Sequence, residues 1–574
     1  MCGIFSLLNN NNNDKNSNEI IAEQFEKGKN RGPEFSKLDN SYMKMILGFH
    51  RLAINGLNEF SNQPIVYKDV VLICNGEIYN YKQLYKYMNI TPETDSDCEV
   101  IIHLFVNYGI EQTLNMLDGV YSFILFDNRL NIPYLTNYIY IARDPLGVRP
   151  LYKLYNISDN YNLYGFASEL KCLEHFYNTN LQHYRIDQFE PGTYSVFKFG
   201  SKIKSCWKPV FENKRFFIPS FSHTLLTKDT NKMISDFLTN ISNQLNSAVI
   251  KRCTTTERPV ACLLSGGLDS SLISALVANY FREHDKIIET YSIGLKESED
   301  IKYARIVADY IGTKHTEIVV TEKEMFDAIP EVIKAIESYD TTTVRASIGN
   351  YLIGKYIAAN SEAKVIFNGD GSDELFGGYL YMNKCPDDIE FDKETRRLLK
   401  DIHLFDVLRS DKSISSNGLE PRTPFLDRTF FNYVLSIPAY FRNHRNFNRC
   451  EKYLLRDSFG IKNFQDSLYR QIIPDSVLYR TKEAFSDGVS SKERSLFTIL
   501  QEKIAEKLNN EAEDLKDKIY DINIESEKTY YKKIFEENYP NCSHILPYYW
   551  MPKYTSAKDP SARTLAIYEN NNSK

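Results

Sequence analysis

Positive charge is not in excess in this chain of 574 residues: 69 Lys and Arg stand against 75 Asp and Glu, a formal net charge of −6. That argues against a protein that grips nucleic acid through a basic surface, and no nucleic-acid partner is expected. Long apolar runs are missing as well. None approaches the ~20 residues that span a bilayer, so no membrane partner is expected. The 10 cysteines are scattered from Cys2 to Cys542, without a C-x-x-C pair or a Cys/His cluster at zinc spacing. Reduced thiols, mostly in cores, are the expectation for nine of them. The opening MCGIFSLL lacks a basic region ahead of its apolar residues and runs into an asparagine tract. No secretory signal is read there, and a cytoplasmic location is expected.

What is present begins with Cys2. Aminopeptidases remove an initiator Met that precedes a small side chain, and removal here would leave a thiol and a free α-amine on one residue. The amine titrates near ~8 and the thiol near ~8.5, so the amine can serve as base for its own thiol. Chance explains a lone cysteine equally well, and the rest of the chain has to decide.

The length is too great for one hydrophobic core; two to four domains are expected. Residues 2–208 read as β-rich. Short apolar runs (MKMILGFHRLAI, DVVLICNGEIYN, YSFILFD, YIYIARD, GTYSVFKFG) alternate with turn signals, and CEVIIHLFVNYG has helical spacing. The NNNNND tract at 9–14 reads as a solvated loop. Residues 209–235 lack periodicity and read as a linker. From 236 to 574, strand and helix patterns alternate: PVACLLS then SSLISALVANYFREH, IIETYSIGL then DIKYARIVADYIG, HTEIVV then KEMFDAIPEVIKAIES, and AKVIFNG after SIGNYLIGKYIAAN. This alternation predicts a parallel sheet with helices on both faces. Beyond about residue 390 the pattern is mainly helical and charged.

The most specific stretch is PVACLLSGGLDSSLISALV. A buried strand ends at Ser265; Gly266 and Gly267 follow, then Leu268, Asp269, Ser270, Ser271 and a helix. Such a layout aims backbone N–H groups and a helix N-terminus at one point, which makes an anion site. The glycines permit close approach, and the serines add donors. Asp269 is out of place in an anion pocket unless a cation lies between it and a phosphate, and Mg²⁺ is the natural candidate. The stretch is not a Walker loop, which needs G-K-[ST]. It resembles the S-G-G-x-D-S loop of the N-type ATP pyrophosphatases. A second loop, NGDGSDELFGGY from Asn368 to Tyr379, crowds Asp370, Asp373 and Glu374 behind a predicted parallel strand. Packed carboxylates need a cation or a proton to coexist.

With both loops in place, the chain resembles the glutamine-hydrolysing (B-type) asparagine synthetases nearly end to end. The resemblance rests on MCGIF, HRLAI (50–54), CNGEIYNY (74–81), SDCEV (96–100), ARDPLGVRPLY (142–152), LLSGGLDSS (263–271), TTVRAS (342–347), NGDGSDELFGGYLY, GLEPRTPFLD (418–427), RTKEAFSDGV (480–489) and DPSAR (559–563). It implies an α+β N-terminal Ntn-hydrolase glutaminase, an αββα sandwich, followed by an α/β ATP-pyrophosphatase synthetase domain. It also answers the question about Cys2, which matches the family's N-terminal nucleophile. Asn75 and Gly76 match the oxyanion donors. Arg51, with Leu52, Ala53 and Ile54, matches the segment that holds the glutamine α-carboxylate. Glu77 and Asp97 match the groups around the glutamine backbone, with Asp97 facing its ammonium.

In the second domain the resemblance assigns Leu263, Ile293, Asn368 and Gly369 to ATP. Ser265, Gly266, Gly267, Leu268, Asp269, Ser270 and Ser271 match the pyrophosphate loop. Asp269 and Asp373 match the Mg²⁺ carboxylates, and Lys482 a lysine that meets phosphate charge. Thr343 and Arg345 are placed near aspartate. The implied substrates are glutamine, aspartate and ATP, the implied assembly a homodimer, and the implied products asparagine, glutamate, AMP and pyrophosphate. Two residues depart from the family's usual S-G-E-G-S-D-E: Asn368 stands for Ser and the catalytic Asp370 for Glu. The shorter side chain loses about 1.5 Å of reach, one carbon–carbon bond. A ~1 Å misplacement can cost ~10²-fold, so compensation by backbone position is expected. A relative acting on another carboxylate acceptor is the alternative; TTVRAS and GLEPRTPFLD argue for aspartate. A non-catalytic protein on the same fold would not be expected to keep Cys2, Arg51, Asn75, Asp97, Asp269, Asp373 and Lys482 together.

Overall fold

The computed structural model describes residues 1–10, 17–129, 137–157, 162–200, 205–218, 230–480, 482–483, 485–491, 494–513 and 519–565. Beyond Asn10 the asparagine tract lies outside these residues.

The N-terminal unit is built from two six-stranded antiparallel sheets. The first runs in the order Tyr184–Gln188, Tyr152–Asn156, Tyr164–Ala167, Gly3–Leu8, Met45–Arg51, Phe35–Tyr42. The second runs Trp207–Arg215, Thr193–Phe199, Tyr138–Arg143, Gly119–Asp127, Val70–Ile78, Ile65–Tyr67. Strand periodicity explains the layering, because alternate residues face opposite sides. Ile4 and Leu8 join Val71, Ile73, Ile124 and Ile141 in the core between the sheets. Phe5 and Leu7 face the other way, onto Ile21 and Phe25 of helix Asn18–Glu26. Val70, Leu72 and Cys74 pack outward against Leu84, Ile101 and Leu104 of helices Tyr81–Met88 and Val100–Met116. The result is the expected αββα sandwich.

The second unit holds a five-stranded parallel sheet in the order Lys314–Val320, Glu289–Leu295, Val260–Leu263, Val365–Phe367, Glu420–Arg422. Helices cover both faces. Val260 and Cys262 look toward helices Thr230–Cys253 and Leu268–Arg282, while Ala261 looks toward Thr341–Asn360. Among the described residues no helix is long and apolar enough to cross a membrane.

Three elements differ from the expectation. The linker is shorter than 209–235: residues 209–215 belong to strand Trp207–Arg215, which pairs with Thr193–Phe199, and 230–235 open helix Thr230–Cys253. Only Trp207 of that edge strand is buried, so no alternation of apolar and polar residues marks it. The helix expected over KEMFDAIPEVIKAIES is two, Glu322–Asp327 and Ile329–Ile336, divided where Pro330 enters a first turn. Strand Glu420–Arg422 was not foreseen, since three residues with a central Pro carry no strand signal. This short strand bridges the two units. Arg422 Nη2 donates to Glu77 at 3.2 Å, and Arg149 and Arg31 of the first unit meet Asp411 of the second at 3.2 and 2.7 Å.

Candidate active sites

Strand Gly3–Leu8 carries Cys2 at its leading end, between strands Met45–Arg51 and Tyr164–Ala167. The thiol donates to Leu52 O at 3.6 Å. Burial raises its pKa, against the opposing pull of the N-terminal amine and Arg51. Met1 is buried, with its amine donating to Leu419 O at 3.1 Å. Burial takes that amine down to about 5, so the Met1 amine is uncharged near neutral pH.

Asn75 and Gly76 arrive from strand Val70–Ile78 of the facing sheet. Asn75 Nδ2 donates to Ser168 Oγ at 3.4 Å, and that hydroxyl also accepts from Ile4 N at 3.1 Å, which ties Asn75 to the cysteine strand. Asn75 Oδ1 is buried without a hydrogen-bond partner. A Cβ on residue 76 would stand 2.6 Å from Val120 O, so the strands pair this closely only around glycine. Arg51 ends its strand and donates to Asn58 O at 3.0 Å, Asn62 Oδ1 at 2.7 Å, Asn55 O at 3.2 Å and Gly56 O. Burial lowers its pKa. A desolvated guanidinium held by neutral oxygens suits an incoming carboxylate. Asp97 accepts from Ile78 N at 2.6 Å, and burial raises its carboxyl to about 6. Glu77 accepts from Asn55 Nδ2 at 2.8 Å; burial and then Asp97 push it well above the usual range. Leu52 meets the thiol through its carbonyl; beyond it, Ala53 N donates to Glu34 at 2.7 Å and Ile54 O accepts from Glu257 N at 3.0 Å.

The second site is a cleft at the C-terminal ends of the parallel strands, where open α/β sheets place ligands. Leu263, Ser265, Gly267, Leu268, Asp269, Ser270, Ile293, Thr343, Asn368, Gly369, Asp370, Asp373 and Lys482 all line it. Helix Leu268–Arg282 begins at Gly267, which offers no side-chain cap, so its first N–H groups stay open to an anion. Ser265 and Ser270 hold each other at 2.9 Å between hydroxyls. A Cβ on Gly369 would meet Ser270 N at 2.7 Å, so the two loops touch backbone to backbone.

Asp269 and Asp373 share two cations. Lys452 Nζ stands 2.6 Å from each carboxylate; Lys482 Nζ is 2.6 Å from Asp373 and 3.9 Å from Asp269. Burial works against charge on Asp373, but the two lysines outweigh it and hold that carboxyl well below the usual range. Asp269 Oδ1 is buried without a hydrogen-bond partner. Such an orphaned carboxylate oxygen fits a hard cation. The two departures from the usual loop each find a partner on one helix, Asp406–Ser415: Asp370 accepts from Arg409 Nη2 at 2.8 Å, and Asn368 Nδ2 donates to Ser410 Oγ at 2.6 Å.

Three of the expected residues stand back from the cleft lining. Gly266 and Ser271 do not line the cleft. Gly266 sits at φ +73, where an added Cβ would stand 2.4 Å from Ala304 N, and Ser271 is fully buried. Arg345, placed near aspartate by the resemblance, points elsewhere: residues two apart on a helix diverge by ~200°, so Thr343 faces the cleft and Arg345 does not. Its guanidinium donates to Glu527 at 2.8 and 2.5 Å and to Asp559 at 2.8 Å through both terminal nitrogens. Lys452 and Arg409 were missed. Lys452 has φ +57 just ahead of helix Tyr453–Ser458, and nothing in EKYLLR marks it.

A half-buried thiol on a strand tied through Ser168 to an Asn–Gly pair, joined to an α/β unit with an open S-G-G-x-D-S loop, defines an amidotransferase coupled to an ATP-using ligase. The chain matches the glutamine amidotransferase domain family over residues 1–215 and the asparagine synthase family over 240–389 and 383–558. It is 39% identical over 584 residues to "Asparagine synthetase [glutamine-hydrolyzing]" of Gallus gallus, covering 99% of each chain. The protein of that name from Homo sapiens is 38% identical over 585 residues, again with 99% of each covered. Likeness to a solved structure, NMN synthetase from Francisella tularensis, is slight: 12% identity, a TM-score of 0.23, and 57% of this chain against all of that one. The chain belongs to the glutamine-hydrolysing asparagine synthetases.

Proposed function

We propose that the chain makes L-asparagine from L-aspartate with ammonia taken from glutamine. The observation that carries this is the paired-lysine, paired-carboxylate cleft on the S-G-G-L-D-S loop, in one chain with the Cys2 site.

At the first site, once Met1 is removed, the Cys2 amine takes the thiol proton. The sulfur attacks the glutamine side-chain amide, and the C–N bond breaks as the amine returns the proton to the leaving ammonia. Asn75 and Gly76 supply the donors that meet the tetrahedral oxyanion. Water then cleaves the γ-glutamyl thioester to glutamate. Arg51 holds the α-carboxylate, and ionised Asp97 faces the ammonium.

At the second site the aspartate β-carboxylate attacks the α-phosphorus of ATP. An O–P bond forms, the bridge to the β-phosphorus breaks, and pyrophosphate leaves beside Lys452 and Lys482. Asp269 and Asp373 would hold Mg²⁺, which neutralises phosphate charge when bound. No cluster of three or more candidate metal-binding side chains occurs among the described residues; Mg²⁺ commonly takes one or two carboxylates and completes its shell with phosphate oxygens and water. Ammonia attacks the β-aspartyl-AMP carbonyl, giving asparagine and releasing AMP. Arg409 and Ser410 supply the compensation that the shorter Asp370 needs, by fixing the loop from the side.

Purified protein with Mg²⁺, ATP, aspartate and side-chain-¹⁵N-glutamine tests this by mass spectrometry. Labelled asparagine in equal amount with AMP is expected. Glutamate and ammonia without AMP would overturn the synthetase reading and favour another acceptor. Sedimentation velocity reads the homodimer proposed by resemblance.

A further inference from the structure

Lys482 lies between short elements, where neither a strand ladder nor a long helix sets its position. Its placement over Asp373 depends on pins. Three come from the body of the synthetase unit: Arg480 donates to Gly266 O at 3.0 Å and lies 3.4 Å from Asp300, and Lys482 N donates to Glu451 Oε1 at 3.1 Å. The others come from a segment about 80 residues downstream. Arg563 donates to Glu483 at 2.7 Å and to Ser491 O at 2.6 Å, while Ser561 Oγ donates to Asp487 at 2.8 Å. Glu483 is thus gripped from both sides, by Arg563 and by Arg480 at 3.1 Å.

The downstream segment is itself anchored to the cleft wall. Trp550 N donates to Asp340 Oδ1 at 2.7 Å, and the same carboxylate caps the helix that presents Thr343. Asp559 is fastened to Arg345. A strap from Trp550 to Arg563 therefore connects the aspartate side of the cleft to the residue next to Lys482.

We propose that Arg563 is a positioning residue of the synthetase reaction: through Glu483 it holds the Lys482 ammonium over Asp373. This rests on the function proposed above. Loss of Arg563 removes the grip on Glu483 that comes from the downstream segment, and a displacement of ~1 Å in a charge-stabilising group costs about 10²-fold in rate. Substrate-binding groups on the strand ends are untouched, so the loss belongs in kcat.

The test compares the parent, R563Q and R563K in aspartate-dependent pyrophosphate release with saturating ammonia, alongside glutamine hydrolysis. R563Q should lower kcat for pyrophosphate about 10²-fold, keep the ATP KM within about 2-fold and leave glutamine hydrolysis unchanged. R563K, which can still reach Glu483 with one charged donor, should recover most of the loss. An R563Q enzyme at the parent rate would overturn the proposal. So would equal losses of both activities, or an R563K no better than R563Q, since a merely structural role predicts those. A parent that hydrolyses glutamine yet releases no pyrophosphate with aspartate fails at the functional reading, a result distinct from a working parent with a silent R563Q.

Discussion

Replacing Arg345 by Met separates the two roles open to this residue. In the structure one guanidinium serves two carboxylates, Glu527 at 2.8 and 2.5 Å and Asp559 at 2.8 Å. Met keeps the volume and removes the charge. Breaking a buried pair by deleting one partner costs about 3–5 kcal/mol, because the remaining charge is buried without its counter-ion. Two carboxylates are left here, which pushes toward the upper end. Gln501 Nε2, at 3.1 Å from Glu527 and 2.9 Å from Asp559, softens the loss. With a urea m-value of about 3 kcal/mol per M, the midpoint for the synthetase unit should fall by about 1–1.7 M. The aspartate KM, measured below that midpoint, should change by less than about 2-fold. Adding E527Q to R345M should restore part of the midpoint, since one stranded charge is gone. An aspartate KM raised 10-fold or more with an unchanged midpoint would refute the structural role and return Arg345 to the substrate.

Other consequences follow from the geometry. Lys452→Met should lower pyrophosphate formation by at least ~10²-fold while sparing glutamine hydrolysis, because a preorganised cation aimed at developing charge is lost; stopped-time pyrophosphate assays check this. Asp97, raised to about 6 chiefly by burial, must ionise to face a substrate ammonium. The kcat/KM for glutamine should therefore fall about 10-fold per unit as pH drops below about 6, and D97N should be low and flat across that range. Stability moves oppositely: the folded state holds the Asp97 proton after the unfolded chain has lost it, so this group's contribution is present below the unfolded pKa and is lost as pH rises through about 6. Urea midpoints of the parent and D97N against pH read that slope. Gly266→Ala puts a Cβ 2.4 Å from Ala304 N at φ +73, so soluble protein should drop sharply, and any that folds should lack pyrophosphate formation.

Local pattern was enough where the chemistry is local. The parallel sheet follows from strand–helix alternation; the αββα layering was implied by the family resemblance, since a strand buried on both faces, such as residues 70–78, shows no alternation to read. The S-G-G-L-D-S loop announces its anion site because strand, glycines and helix start are adjacent in the chain. Cys2 with HRLAI, CNGEIYNY and SDCEV was legible only as an ordered set that resembles a family, since each residue alone has an ordinary structural explanation.

Tertiary structure decided what depends on helix phase and on partners far apart in sequence. Thr343 and Arg345 sit in one motif, yet helical rotation sends one to the cleft and the other to Glu527, 182 positions away. Lys452 meets Asp269 across 183 positions, with no signal in its neighbours. Asp370 and Asn368 meet Arg409 and Ser410, about 40 positions away, which no local pattern announces. The amino-acid sequence by itself determined the two folds and the loops that bear phosphate and thiol chemistry. The fold decided which charges neutralise one another, because the free energy of a buried ion depends on its distance to a partner, and distance between remote residues is set only when the chain packs.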